Sequence, residues 1–235
     1  MAMRGERSCG RAVMLSTRIH RVIDMSEDPF IADIVLRLAR LDSLATAPNT
    51  IIGYPRPSAE HARSQQPPAK ESAVLFPLFK RSGEWHTVFI RRPSGPGVHS
   101  DQLSFPGGRL EPDERHMDAA LRETQEEVGV PESQWQMLGE LSTLYIPPSH
   151  FVVQPFVACS FHEPAFNPNP AEVERLIEFP MSAFLRPGIV KRKSIFVKTF
   201  NREFESGYFD VDGHVLWGAT AIMVQEFRSL FDFHD

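Results

Sequence analysis

The residues best equipped for chemistry in this chain lie between Gly108 and Val130. Arg122-Glu123-Thr124-Gln125-Glu126-Glu127-Val128-Gly129 sets Glu123, Glu126 and Glu127 at i, i+3 and i+4, positions that are neighbours on a helical surface. Like charges so placed cost about 0.2–0.5 kcal/mol per pair in an isolated helix. A positive centre between them reverses that cost. An all-oxygen, strongly anionic donor set suits a hard divalent cation such as Mg²⁺ or Mn²⁺. On the glutamates alone, an acidic and merely solvated helix face is the competing explanation.

The segment that must carry these groups reads as a helix. Met117, Ala120, Leu121, Thr124 and Val128 form an apolar stripe opposite the carboxylates, fit to pack on a sheet. Asp113 is the expected N-cap, with Glu114 in the first turn. Gly129 is the expected stop, and Pro131 follows it. Upstream, Phe105-Pro106 reads as a strand end that turns into Gly107-Gly108, where the backbone can approach a ligand closely.

Residues 108–130 match the pattern G-x5-E-x7-R-E-U-x-E-E-x-G-U, with U a bulky apolar residue. Gly108, Glu114, Arg122, Glu123, Glu126, Glu127, Gly129 and Val130 fall on its fixed positions. The pattern resembles that of the Nudix hydrolases. Thr124 departs from it at the first apolar position, where its methyl can still pack. The resemblance implies an α/β/α sandwich with a mixed β-sheet and a loop–helix–loop motif. It implies hydrolysis of a pyrophosphate linked to a nucleoside or similar group. Glu123, Glu126 and Glu127 would hold Mg²⁺ or Mn²⁺, the Gly108 carbonyl would add a ligand, and Glu114 with Arg122 would fix the loop against the helix. Arg122 also stands i,i+4 from Glu126, which suits a surface pair. The general base is placed differently among such enzymes; Glu172, Glu174 and Glu178 are candidates outside the helix.

Arg92-Pro93, Gly97-Val98-His99-Ser100 and Gln102-Leu103-Ser104-Phe105-Pro106-Gly107-Gly108 resemble the upstream signature of one branch, the coenzyme A pyrophosphatases. Leu144 to Ser149, Gln154 to Val157 and Trp217 to Ala221 agree, so the resemblance spans residues 72–231. It implies cleavage of coenzyme A into 3′,5′-ADP and 4′-phosphopantetheine. Arg91, Arg92, Arg109 and His99 are the expected substrate-binding cations, arginine being suited to bidentate phosphate contact. Asp101 stands where that branch carries glycine. Asp tolerates a positive φ better than most residues, but adds bulk and charge if the backbone there must touch substrate. Another nucleoside diphosphate derivative (ADP-ribose, NADH, a dinucleoside polyphosphate) and a non-catalytic nucleotide-binding module are the alternatives.

Composition sets the outer bounds. A chain of 235 residues with 42% hydrophobic content makes one good-sized domain with extensions. No apolar run approaches the roughly 20 residues of a membrane span, and a net charge of −5 argues against general nucleic-acid affinity. Cys9 and Cys159 alone form no disulfide framework, so a reducing cytoplasm is expected. A small molecule is the expected partner; oligomeric state is not legible. Residues 1–26 read as a basic, disordered tail with Arg4, Arg7, Arg11, Arg18 and Arg21, and Met14 or Met25 are alternative starts.

The catalytic domain is expected over 27–235, with a helix at Pro29–Leu41 and a flexible Pro- and Ser-rich loop at 54–70. Ala73–Lys80 and Trp85–Arg91 read as a hairpin. Gln136–Tyr145, Phe151–Ser160, Val173–Phe179, Ile195–Phe200 and Tyr208–Val211 read as further strands, Met181–Leu185 as a short helix and Leu216–Phe231 as a closing helix that Trp217 and Gly218 help to pack. Lys191-Arg192-Lys193 reads as a solvated turn.

Overall fold

The computed structural model describes residues 28–41, 51, 56–93, 102–197 and 201–231. The expected basic tail, His99, Asp101 and most of the 93–100 loop lie outside the described residues.

Helix α1 (Pro29–Leu38) opens on Asp28, whose carboxylate accepts the Phe30 and Ile31 N–H groups at 3.0 and 3.4 Å. Such a cap is worth about 1 kcal/mol. The same carboxylate pairs with Lys80 at 2.8 Å and so ties the helix to the sheet. The stretch expected as a flexible loop holds instead a helix, α2 (Ala59–Ser64). Ser58 caps it through the His61 N–H, Ala62 is fully buried, and Arg63 grips Glu71 with two hydrogen bonds. One buried small residue and a cap outweigh a composition that otherwise favours coil.

Strands β1 (Lys70–Arg81) and β2 (Glu84–Arg91) form the expected hairpin, closed by Ser82 and Gly83 at φ 52° and 83°. Both values lie in the left-handed region that tight two-residue hairpins require. After β2 come β3 (Leu103–Ser104), β4 (Gly107–Arg109), α3 (His116–Val128), β5 (Gln136–Glu140), β6 (Leu144–Ile146), β7 (Phe151–Ser160), β8 (Arg175–Pro180) and α4 (Met181–Phe184). The run expected as one strand over 136–145 is two, because β5 bulges between Met137 and Gly139 and the chain leaves the sheet after Glu140.

These strands build one eight-stranded mixed sheet. At its centre β1 runs parallel to β7, from Lys70 opposite Phe151 to Phe79 opposite Ser160. The other edge of β1 is divided: Ser72–Val74 pair antiparallel with β4, and Leu78–Arg81 with β2. Between the two, the Leu75 N–H donates to the Pro106 carbonyl at 2.9 Å.

Residues along β1 alternate between two cores, as a strand's period of two demands. Ala73 and Leu75 pack with Ala119, Ala120 and Val128 of α3. Phe76 and Leu78 face a larger core that includes Ile31 and Ile34 of α1, and Phe184 of α4. A second sheet holds β9 (Lys191–Val197), β10 (Arg202–Val211) and β11 (His214–Leu216), and α5 (Gly218–Ser229) follows. Phe227 of α5 lies against Phe76, with centroids 4.8 Å apart. The result is the expected α/β/α sandwich with a mixed sheet. Lys191-Arg192-Lys193 is not a turn but the start of β9, with its side chains exposed. No helix among the described residues is long and apolar enough to cross a membrane.

Candidate active site

The site grows from the loop that β4 enters and α3 leaves. Gly107 has φ 145°, and a Cβ there would stand 2.5 Å from Val74 Cα. Backbone so close to backbone admits glycine alone. Its N–H donates to Glu127 Oε2 at 2.8 Å. Arg92 closes the triangle, with Nη2 donating to the Gly107 carbonyl at 3.2 Å and pairing with Glu127 Oε1 at 3.1 Å. Glu127 is 1% exposed. Burial pushes its pKa up to about 7; Arg92 and the Gly107 N–H oppose that rise, and the charges of Glu123 and Glu172 add to it.

Glu123 lies directly over Gly108, where a Cβ would come within 2.5 Å of Glu123 Oε1. Burial raises its pKa too, Arg122 lowers it, and Glu126 and Glu172 raise it further. Arg122 is the hub. Its guanidinium reaches Glu114 at 2.8 and 3.0 Å, Glu123 at 3.0 Å, Glu126 at 3.1 Å and the Arg109 carbonyl at 3.2 Å. Glu114 also accepts the Glu111 N–H at 2.8 Å. The expected link between loop and helix through Glu114 and Arg122 is present, and the i,i+4 pair with Glu126 coexists with it.

Among the described residues, no three carboxylate or imidazole side chains converge as a ready metal cage. The glutamates are divided between two guanidinium groups, Glu123 and Glu126 on Arg122 and Glu127 on Arg92. The donor set nonetheless fits a hard divalent cation. It consists of oxygen alone, and two of its carboxylates are desolvated and repel one another, so the positive charge present leaves them under-compensated. Glu126, with a side chain 51% exposed, is the member with most freedom to turn toward an ion.

Of the remaining expected residues, Arg109 is exposed on β4, and Arg91 points into a neighbouring cleft. Arg92 is engaged by Glu127 and Gly107, and His99 lies outside the described residues. Among the candidate bases, Glu178 is held by Arg81 at 2.7 Å through both oxygens, and Glu174 stands 3.8 Å from Arg91. Glu172 alone of the three acts electrostatically on both Glu123 and Glu127. Its position comes from a feature the sequence does not announce. The loop after β7 docks on the end of α3, Asn167 N–H donating to Val128 O at 2.9 Å and Asn169 N–H to Glu127 O at 3.1 Å. Gly129, at φ 75°, allows this approach; a Cβ there would meet Asn167 Cβ at 2.9 Å. Thr124 is accommodated because its hydroxyl donates to the Ala120 carbonyl at 2.6 Å, so no polar group is left unpaired in the core at that position.

The NUDIX domain model matches residues 69–200. The chain therefore belongs to the NUDIX family, and its class is that of the Nudix hydrolases. An uncharacterized Nudix hydrolase NudL of Yersinia enterocolitica is 31% identical over 172 residues, covering 73% of this chain and 84% of that one. Its counterpart in Photorhabdus laumondii is 28% identical over 158 residues, covering 67% and 82%. Among solved structures, a MutT/nudix family protein of Enterococcus faecalis aligns over 82% of this chain and 72% of its own, at 16% identity and a TM-score of 0.48.

Proposed function

We propose that this Nudix hydrolase cleaves the pyrophosphate bond of coenzyme A or a derivative, giving 3′,5′-ADP and 4′-phosphopantetheine. The observation that carries this reading is the seating of Glu123 over Gly108, within the Phe105-Pro106-Gly107-Gly108 element that resembles the coenzyme A branch. In this reading Glu123, Glu126 and Glu127 hold Mg²⁺ or Mn²⁺, and the Gly108 carbonyl offers a further oxygen. A bound divalent ion neutralises phosphate oxygens and lowers the pKa of water. Arg122 and Arg92 steady the carboxylates, and Glu172, whose charge acts on both Glu123 and Glu127, is the candidate to take a proton from the attacking water. Arg91 and Arg109 supply charge for the phosphates, arginine being matched to them bidentately. The protein works on a small molecule in the cytoplasm.

All five acidic and basic motif residues are kept (Glu114, Arg122, Glu123, Glu126, Glu127), which favours catalysis over nucleotide binding alone. Mass spectrometry of the products formed from coenzyme A, ADP-ribose and NADH, with Mg²⁺ or Mn²⁺, tests the substrate. Cleavage of another nucleotide with coenzyme A left intact overturns the proposal.

A further inference from the structure

A cleft of about 320 Å³ opens where β2, β3, β9 and β11 meet, with Arg91, Leu103, Lys193, His214 and Trp217 in its walls. Its chemistry is the inverse of the carboxylate site. It offers two permanent cations, an imidazole and an indole, and none of its lining residues is acidic.

The fold explains how the cleft adjoins the chemistry without overlapping it. Arg91 is the last residue of β2 and Arg92 follows it directly, and neighbouring side chains on an extended chain point to opposite sides. Arg92 turns to Glu127 at 3.1 Å, whereas Arg91 lines the cleft, with Glu174 at 3.8 Å. Lys193 and Ile195, two apart on β9, share the face that lines it. Trp217 precedes α5 as its N-cap without a side-chain capping bond, and its ring is partly packed on the main core. Thr220 of α5 donates to the Leu103 carbonyl at 3.2 Å and fixes α5 against β3. The cleft is therefore built by packed elements.

We propose that this cleft receives the phosphorylated nucleoside end of the substrate, with Arg91, Lys193 and His214 on a phosphomonoester distinct from the pyrophosphate and Trp217 against the base. Guanidinium and ammonium groups suit a phosphate dianion, and an indole offers any base a stacking face. The substrate then wraps the end of β2, its pyrophosphate on the side of Glu127 and its base on the other. This rests on the reading that the substrate carries a phosphate on its ribose, as coenzyme A does.

Calorimetric binding of 3′,5′-ADP and of 5′-ADP to the full chain, without added metal, tests it. The expected result is about tenfold tighter binding of 3′,5′-ADP, equivalent to 1.4 kcal/mol. Lys193→Ala with His214→Ala should erase that preference, leave 5′-ADP binding in place and leave the melting temperature unchanged. Equal binding of the two nucleotides, or a preference that survives both substitutions, overturns the assignment. If coenzyme A is cleaved with a KM that the double variant does not alter, the cleft assignment fails and the activity stands. If coenzyme A is not cleaved but the preference is present and lost in the variant, the substrate reading fails and the cleft stands as a site for a different ribose-phosphorylated ligand.

Discussion

The carboxylate of Glu123 fills the space that a side chain at Gly108 would need; an added Cβ would come within 2.5 Å of Glu123 Oε1. The neighbouring Gly107 is constrained by something much stiffer, since its Cβ would stand 2.5 Å from Val74 Cα, at φ 145°. Two adjacent glycines thus protect different things. Gly108→Ala displaces the end of a flexible side chain and should fold, with melting shifted little and hydrolysis reduced about 100-fold, the scale that a 1 Å misplacement can reach. Gly107→Ala forces backbone against backbone and should cost at least about 1–3 kcal/mol of stability. Parallel melting curves and assays of the two variants check the contrast; equal losses of stability would refute it.

Arg92 and Glu127 form a pair with one partner almost fully buried, at 1% exposure, and the other about one-third exposed, at 34%. Removing one member of a fully buried pair costs about 3–5 kcal/mol, and the exposure of Arg92 argues for less, about 1–3 kcal/mol. Arg92→Ala should therefore destabilise the protein. Adding Glu127→Gln should recover part of the loss above neutral pH, where the carboxylate left without Arg92 would otherwise be charged. Urea unfolding of the two singles and the double variant, treated as a thermodynamic cycle, measures the coupling; additive effects would show that the pair is not coupled.

Chelation by EDTA should abolish hydrolysis, and Mg²⁺ or Mn²⁺ should restore it. Glu126→Gln keeps the shape and a hydrogen-bond acceptor for Arg122 but gives up the charge, so activity should fall by at least about 100-fold with stability nearly unchanged. Turnover equal to that of the unmodified protein would remove Glu126 from metal binding.

Glu226, on α5 rather than α3, allows a pH test on a carboxylate outside the motif. It is 4% exposed on α5, and its carboxylate accepts the Ser142 N–H at 3.0 and 3.2 Å. Burial raises its pKa above the ordinary 4.5, more than the Ser142 hydrogen bonds lower it. The folded state therefore holds this proton more tightly than the unfolded chain does. The resulting stability is fully present below the unfolded pKa and disappears as pH rises through the higher folded one. Glu226→Gln remains neutral and retains an oxygen for Ser142. It should match the original protein at pH ~4 and exceed it near pH ~7, the gap opening as the pH climbs past the ordinary carboxylate range. Melting temperatures across that range decide the matter; a constant difference would rule out titration of Glu226.

The long periodic elements are legible in the sequence because each has a face that must be buried. β7 runs from Phe151 to Ser160 and α3 stops at Gly129, both where the residue pattern puts them. The start of α3 is not legible. Asp113 looks like a cap but takes φ 63°, and Arg115 is the N-cap, without a side-chain capping bond. Glu114 must first reach Arg122 and the Glu111 N–H, and this tertiary demand overrides the local capping preference. The first residues of β9 are hidden for a related reason, although Ile195 onward reads as a strand. Lys191-Arg192-Lys193 shows no alternation because its side chains face solvent, and its pairing with β10 is set by long-range register. Glu123 and Gly108 are associated in the sequence only through the resemblance to the Nudix pattern. The approach of Glu172 is not legible at all, since it depends on Asn167 and Asn169 bonding the end of a helix some forty residues earlier in the chain.

The divided edge of β1 has a consequence for how this protein tolerates change. The glycine loop is bolted at Leu75 to the middle of the central strand, so its amides should exchange with deuterium about as slowly as the deepest part of the sheet. Opening that loop means opening the domain. Substrate preference is then free to drift only in the outlying segments, the β9–β11 leaf among them, while the hydrolytic apparatus keeps pace with the stability of the whole fold.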